Sequence, residues 1–98
     1  MVPFPRYVRL GGHVIQVRRV QGLIKNEGAF GTWDDGALTI SIDAELSQSL
    51  AWETLFHELV EACSTSTDFK LEHHIIQTFG LLIHQAFQSL FEEGQKDA

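Results

Sequence analysis

The chain has a single cysteine, Cys63, so it can form no internal disulfide, and its fold does not call for an oxidising compartment. It has two prolines, both within the first five residues, so nothing later interrupts a helix or a central strand by that route. Basic residues are scarce: 7 Lys+Arg stand against 13 Asp+Glu, for a formal net charge of −6. A chain this acidic lacks the electrostatic footprint of a nucleic-acid binder. Four arginines gather early, at Arg6, Arg9, Arg18 and Arg19, and read as solvated strand positions. No apolar run is long enough to span a bilayer, so no membrane association is expected. The opening "MVPFPRYVRL" lacks the apolar segment of a secretory signal, and the expected location is cytoplasmic. No glycine-rich loop leads from a strand into a helix, and no spacing supports a Ser-His-Asp arrangement, so phosphate binding and serine chemistry have no basis.

What is present suits one small globular domain over residues 1–98, with 44% hydrophobic and 20% charged residues. The first half reads as β. "YVRLGGHVIQVRRV" is two β-rich runs about Gly11-Gly12, a hairpin pattern. "QGLIKNEGAFG" is read as a loop with a short strand near its end. Asp35-Gly36 marks a turn. After it Leu38, Ile40 and Ile42 alternate with Thr39, Ser41 and Asp43, as in a half-buried strand.

The second half reads as α. Leu55, Phe56, Leu59 and Cys63 fall on one face of a helix from about residue 47 to 64, and this predicts Cys63 to be a buried, inert thiol. "STSTDFK" interrupts the pattern. A second helix follows from about 71 to 91, with Ile75, Ile76, Phe79, Ile83, Ala86, Phe87 and Leu90 on its core stripe, and "EEGQKDA" is a solvated tail. Trp33 and Trp52 are expected to cap the core rather than line a cleft. Strands first and helices after predict an α+β fold: a small, mainly antiparallel sheet followed by two packed antiparallel helices.

The chemistry concentrates in "ETLFHELVEA", residues 53–62. His57 and Glu61 are four apart and share a stripe turned away from the core, where two side chains can hold one ion. Glu58 falls one step around, placed to act as a general base on a metal-activated water. The same stripe is also where any helix keeps its solvated charges, so spacing alone leaves both readings open. A third ligand must come from "LEHHI", residues 71–75. If the short connection makes the helices antiparallel, His73 is best placed to reach an ion on Glu61. Glu72 could orient a ligand or replace the third one. His74 is expected in solvent. His84 lies ~16 Å from His73 along the helix axis and cannot join the same ion. His13, beside the Gly-Gly turn, has no expected role.

These motifs, "LTISID", "ETLFHELVEA", "LEHHIIQTFG" and "LLIHQAF" in that order, resemble the small phage-encoded zincin-like metallopeptidases, in a variant reading H-E-x-x-E where the usual motif is H-E-x-x-H. The resemblance covers roughly residues 36 to 90. It implies a minimal zincin-like domain with His57, Glu61 and His73 as metal ligands and Glu58 as the catalytic base. It implies a peptide or protein substrate lying along an edge strand near residues 37–42, and the cytoplasm of a bacterial host. Glu61 departs from the family pattern, since a carboxylate stands where a histidine is usual. That leaves the ion less Lewis-acidic and moves the choice of one divalent metal from Zn²⁺ toward Mn²⁺ or Fe²⁺. The function implied is metal-dependent hydrolysis. The alternative is a non-catalytic phage accessory or interaction domain with a structural or vestigial metal site.

Overall fold

A computed structural model describes residues 3–10, 12–65 and 72–89, the side chains of 85–89 excepted. The strands are β1 (Tyr7–Leu10), β2 (His13–Val20), β3 (Gly31–Asp34) and β4 (Thr39–Asp43); the helices are α1 (Leu23–Glu27), α2 (Gln48–Thr65) and α3 (His73–Ser89). The four strands form one sheet in the order β1-β2-β4-β3, and the architecture is α+β. Gly11, residues 66–71 of the helix connection, Leu90 and the tail lie outside the described residues, as do the side chains of Ala86 and Phe87.

The Gly-Gly hairpin is present. Leu10 pairs with His13 across it, and Gly12 takes φ +82°, a conformation that glycine adopts without strain. Asp35-Gly36 turns β3 antiparallel onto β4. The sheet is mixed, however, because its central pair, β2 and β4, is parallel, from Gln16 opposite Thr39 to Val20 opposite Asp43. This pairing moves β4 into the interior of the sheet. The edge strand next to α2 is therefore β3, and not the strand near residues 37–42 expected from the sequence.

The segment 21–28, read as loop, holds α1. Gly22 and Gly28 bracket it with positive φ, and Gly28 N–H closes the turn onto the Ile24 carbonyl. Its N-terminal cap comes from far along the chain: Ile24 N–H donates to Asp43 Oδ2 at 2.8 Å. Glu45 N–H donates to Asp43 Oδ1, also at 2.8 Å. Asp43, expected on the solvent side of its strand, is thus buried with both oxygens engaged. The Ile24 bond, then the Glu45 bond, hold its carboxyl below the usual carboxylate range, and Arg19 adds to this. Arg19 is exposed, as expected, but its side chain is engaged. Its guanidinium donates to the carbonyls of Asp43, Ala44 and Leu46, fixing the connection into α2, and lies 5.1 Å from the Phe4 ring centroid. Arg6, Arg9 and Arg18 are exposed, as expected.

A group whose folded pKa is depressed adds stability above its ordinary pKa of 3.8, and that stability is lost as pH falls through the folded value. Asp43→Ala is therefore expected to lower the melting temperature at pH 7. The gap from wild type should begin to narrow below about pH 4 and shrink further as pH falls through the lowered folded value, where the wild-type carboxyl itself becomes protonated. A melting series from pH 7 to pH 2 checks this; a gap that stays constant would contradict it.

Helix α2 covers one face of the sheet, and α3 packs against α2. Ile15, Val17, Ile40 and Ile42 meet Ala51, Leu55 and Ala62 of α2, while Trp33, Trp52 and Leu59 pack around the margin. Phe4 stacks on Trp52 at 5.0 Å between ring centroids. The buried stripe of α2 runs Ala51, Leu55, Glu58, Ala62, so small residues bring the helix down onto the sheet. That rotation leaves Cys63 exposed, contrary to its expected burial. It carries Glu58 inward, from the flank where the wheel placed it.

Helix α3 also turns differently from its apolar pattern. Ile76, Gly80 and His84 face inward, whereas Phe79, Leu82 and Ile83 are exposed. The reason is contact distance. A Cβ on Gly80 would lie 2.9 Å from His57 Cα, so the helices touch through backbone at this point. His84 packs beside Phe56, with 6.0 Å between ring centroids, and its Nε2 is buried with no hydrogen-bond partner. No helix among the described residues is long and apolar enough to cross a membrane.

Candidate metal centre

The middle of α2 is enclosed by two glycine contacts. Gly31 at the start of β3 comes so close that a Cβ there would lie 2.6 Å from Thr54 Cγ2 and 3.4 Å from Glu58 Cγ. Gly80 of α3 packs on His57 from another direction. Trp33 Nε1 donates to Thr65 Oγ1 at 2.8 Å and ties β3 to the end of α2. Between these walls lies a cleft of about 570 Å³. Residues 28–31 form one side. Glu53, Thr54, His57 and Glu58 come from α2, and His73, Gln77 and Leu81 from α3.

At this cleft His57 Nε2 stands 3.9 Å from Glu58 Oε2 and 4.0 Å from Glu61 Oε2. One donor atom from each of the three residues lies within 4.8 Å of the others, so the group could hold a metal ion. Two donors bound at ~2.0–2.2 Å can be at most ~4.2 Å apart, so both histidine–carboxylate distances already suit a common ion. One imidazole and two carboxylates form a donor set for a borderline or hard divalent cation.

The electrostatics differ among the three. The His57 side chain is 22% exposed, Glu58 only 7%, and Glu61 38%. Burial lowers the His57 pKa, and nearby His73 acts in the same direction against Glu61 and Glu53, so the imidazole is neutral near pH 7 with a lone pair to donate. Burial, the charge of Glu61 and a hydrogen bond to Glu61 push the Glu58 carboxyl up to about 7. Near pH 7 Glu58 is therefore part protonated, with Glu61 as its hydrogen-bond partner. A carboxyl poised near neutrality can both take and give a proton.

The other candidates are placed as follows. His73 stands beside His57, edge-on, with ring centroids 5.2 Å apart, and it lines the cleft. Glu72 is 76% exposed and pairs with His74 at 3.4 Å, so its carboxylate turns to solvent, outside the three-residue group. His13 is exposed and His84 is buried beside Phe56. Spacing identified His57 and Glu61, since residues four apart share a helix face. It did not indicate Gly31 and Gly80, whose role appears only when strand and helix are brought onto α2, nor the cleft residues Phe30, Glu53, Gln77 and Leu81.

No family model, curated protein or solved structure matches the chain. What stands for the site is its own geometry: His57, Glu58 and Glu61 form a group that could bind a metal ion.

Proposed function

We propose that the chain is a metal-dependent hydrolase that cuts peptide bonds, with Glu58 as the proton carrier. One observation carries this reading: a carboxyl with a pKa of about 7 lies buried beside His57 and Glu61 at a cleft. His57 and Glu61 would hold a divalent cation, Zn²⁺ or else Mn²⁺ or Fe²⁺, with the adjacent His73 as third ligand. Such an ion supplies Lewis acidity at a carbonyl and makes a nearby water more acidic. Glu58 takes the proton of the attacking water and returns it to the leaving amine. Burial keeps bulk water from competing for that proton.

The substrate backbone has a place to lie. Asp43 N–H donates to the Phe30 carbonyl, so Phe30, Thr32 and Asp34 direct their backbone groups toward β4. Gly31 and Trp33 then direct theirs to the open edge of the sheet. A peptide in extended form adds to that edge by strand pairing, which brings it past Glu58.

Glu58→Gln is expected to lower peptide turnover by about 10²–10⁴-fold while leaving metal content unchanged. Cleavage of a peptide library followed by mass spectrometry, with metal content measured on the same samples, checks both. Equal turnover in the two proteins would remove Glu58 from the mechanism.

The exposed Phe79, Leu82 and Ile83 favour a second reading, a non-catalytic accessory domain that binds a partner through α3 and uses the metal group as a structural clip. On that reading Glu58→Gln costs no function, and substituting Leu82 with Glu abolishes partner binding.

A further inference from the structure

We infer that Phe30 and Leu81 form an apolar clamp that selects peptides carrying a large aliphatic or aromatic side chain next to the bond presented to His57 and Glu58. The inference rests on the peptide-hydrolase reading for the position of the backbone, and it deepens that reading by naming the substrate class.

Phe30 is 48% exposed and Leu81 42% exposed, and both line the cleft. Each is the chain neighbour of a glycine that touches α2. Gly31 approaches Thr54 and Glu58, and Gly80 approaches His57. The absence of side chains at those two positions draws both walls inward, and the adjoining residue on each wall is large and apolar. Ala29 adds a small apolar surface beside Phe30. Apolar groups left open at the wall of a cleft with convergent polar groups at its floor are typical of a ligand site.

Charge offers a competing basis for selection. Glu53 lines the same cleft and would favour a lysine or arginine side chain. It lies one turn before His57 on α2, whereas Phe30 and Leu81 line the cleft from two separate parts of the chain, ahead of β3 and on α3. Burial of a leucine there, relative to alanine, should strengthen binding about tenfold.

The test uses the full chain in the presence of Zn²⁺ and short capped alanine peptides with Leu, Lys or Ala at one central position. Binding is read from backbone amide shifts, and cleavage is followed in parallel by mass spectrometry. The Leu peptide is expected to bind about tenfold more tightly than the Ala peptide. In the Phe30→Ala, Leu81→Ala double variant that gap should fall to within about twofold, with affinity for the Ala peptide retained. Amide dispersion establishes that the variant is folded, and Leu81→Gln alone serves if the double variant is not. Equal binding of Leu and Ala peptides, a preference that survives in the variants, a preference for Lys, or binding of none would each overturn the clamp. Tight, clamp-dependent binding of the Leu peptide without cleavage would uphold the clamp and overturn the hydrolase reading.

Discussion

Replacing Glu58 with glutamine raises the melting temperature of the metal-free protein at pH 8 by roughly 10 °C and changes it little at pH 4. The carboxyl has a pKa of about 7 in the folded chain against an ordinary 4.5. Between those values the folded state keeps a proton that the unfolded state releases, so stability falls as pH rises through the window. Above pH 7 the cost is complete, up to ~3 kcal/mol, from ~1.4 kcal/mol per pKa unit. Glutamine has nearly the same shape, carries no charge to bury, and can still donate to Glu61. The difference between the two melting curves across pH 4 to 8 reports on Glu58 and its coupling to Glu61, because the rest of the chain is the same in both proteins. A difference independent of pH would mean that Glu58 is not held protonated by its surroundings. A resident carboxyl that destabilises its own fold is what a functional site requires and a solvated helix face does not.

Gly80→Ala is expected to destabilise the chain by ~2 kcal/mol, although alanine is the better helix former by ~1 kcal/mol. The new Cβ would stand 2.9 Å from His57 Cα and 3.1 Å from His57 N, and these are backbone atoms that cannot rotate away. The two helices must separate, and His57 loses its fixed position over the cleft. Gly31→Ala acts from the other wall, with its Cβ 2.6 Å from Thr54 Cγ2 and 3.1 Å from the Ser41 carbonyl. Thr54 is β-branched within a helix and has little rotamer freedom to yield. Urea denaturation of each variant measures the loss. A stabilisation by either alanine would show that the walls are not in contact as described.

Much of the fold was legible because its signals are local. The hairpin follows from paired glycines between β-rich runs, β4 from alternation, and α2 and α3 from helical periodicity. What was missed depends on partners distant in sequence. Helix α1 looks like a loop until Asp43, 19 residues past Ile24, supplies its cap. The parallel pairing of β2 with β4 leaves no local trace, and it is what makes β3 the edge. In α3 the fat residues suggested the inward face, but close contact favoured Gly80, and Phe79 and Ile83 were left outside. The site divides the same way. His57 and Glu61 are joined by helical spacing, whereas the burial that raises the Glu58 pKa comes from β3 and the sheet, which a wheel of α2 alone does not contain.

The most direct test of the central claim is metal content, measured by mass spectrometry on untagged protein, wild type beside His57→Ala, after incubation with Zn²⁺ or Mn²⁺ and removal of excess ion. A metal held by His57 and Glu61, with His73 as third ligand, predicts about one equivalent in the wild type and none in the variant. No metal in either protein, or equal metal in both, would contradict it and leave "HELVE" as a charged turn of helix.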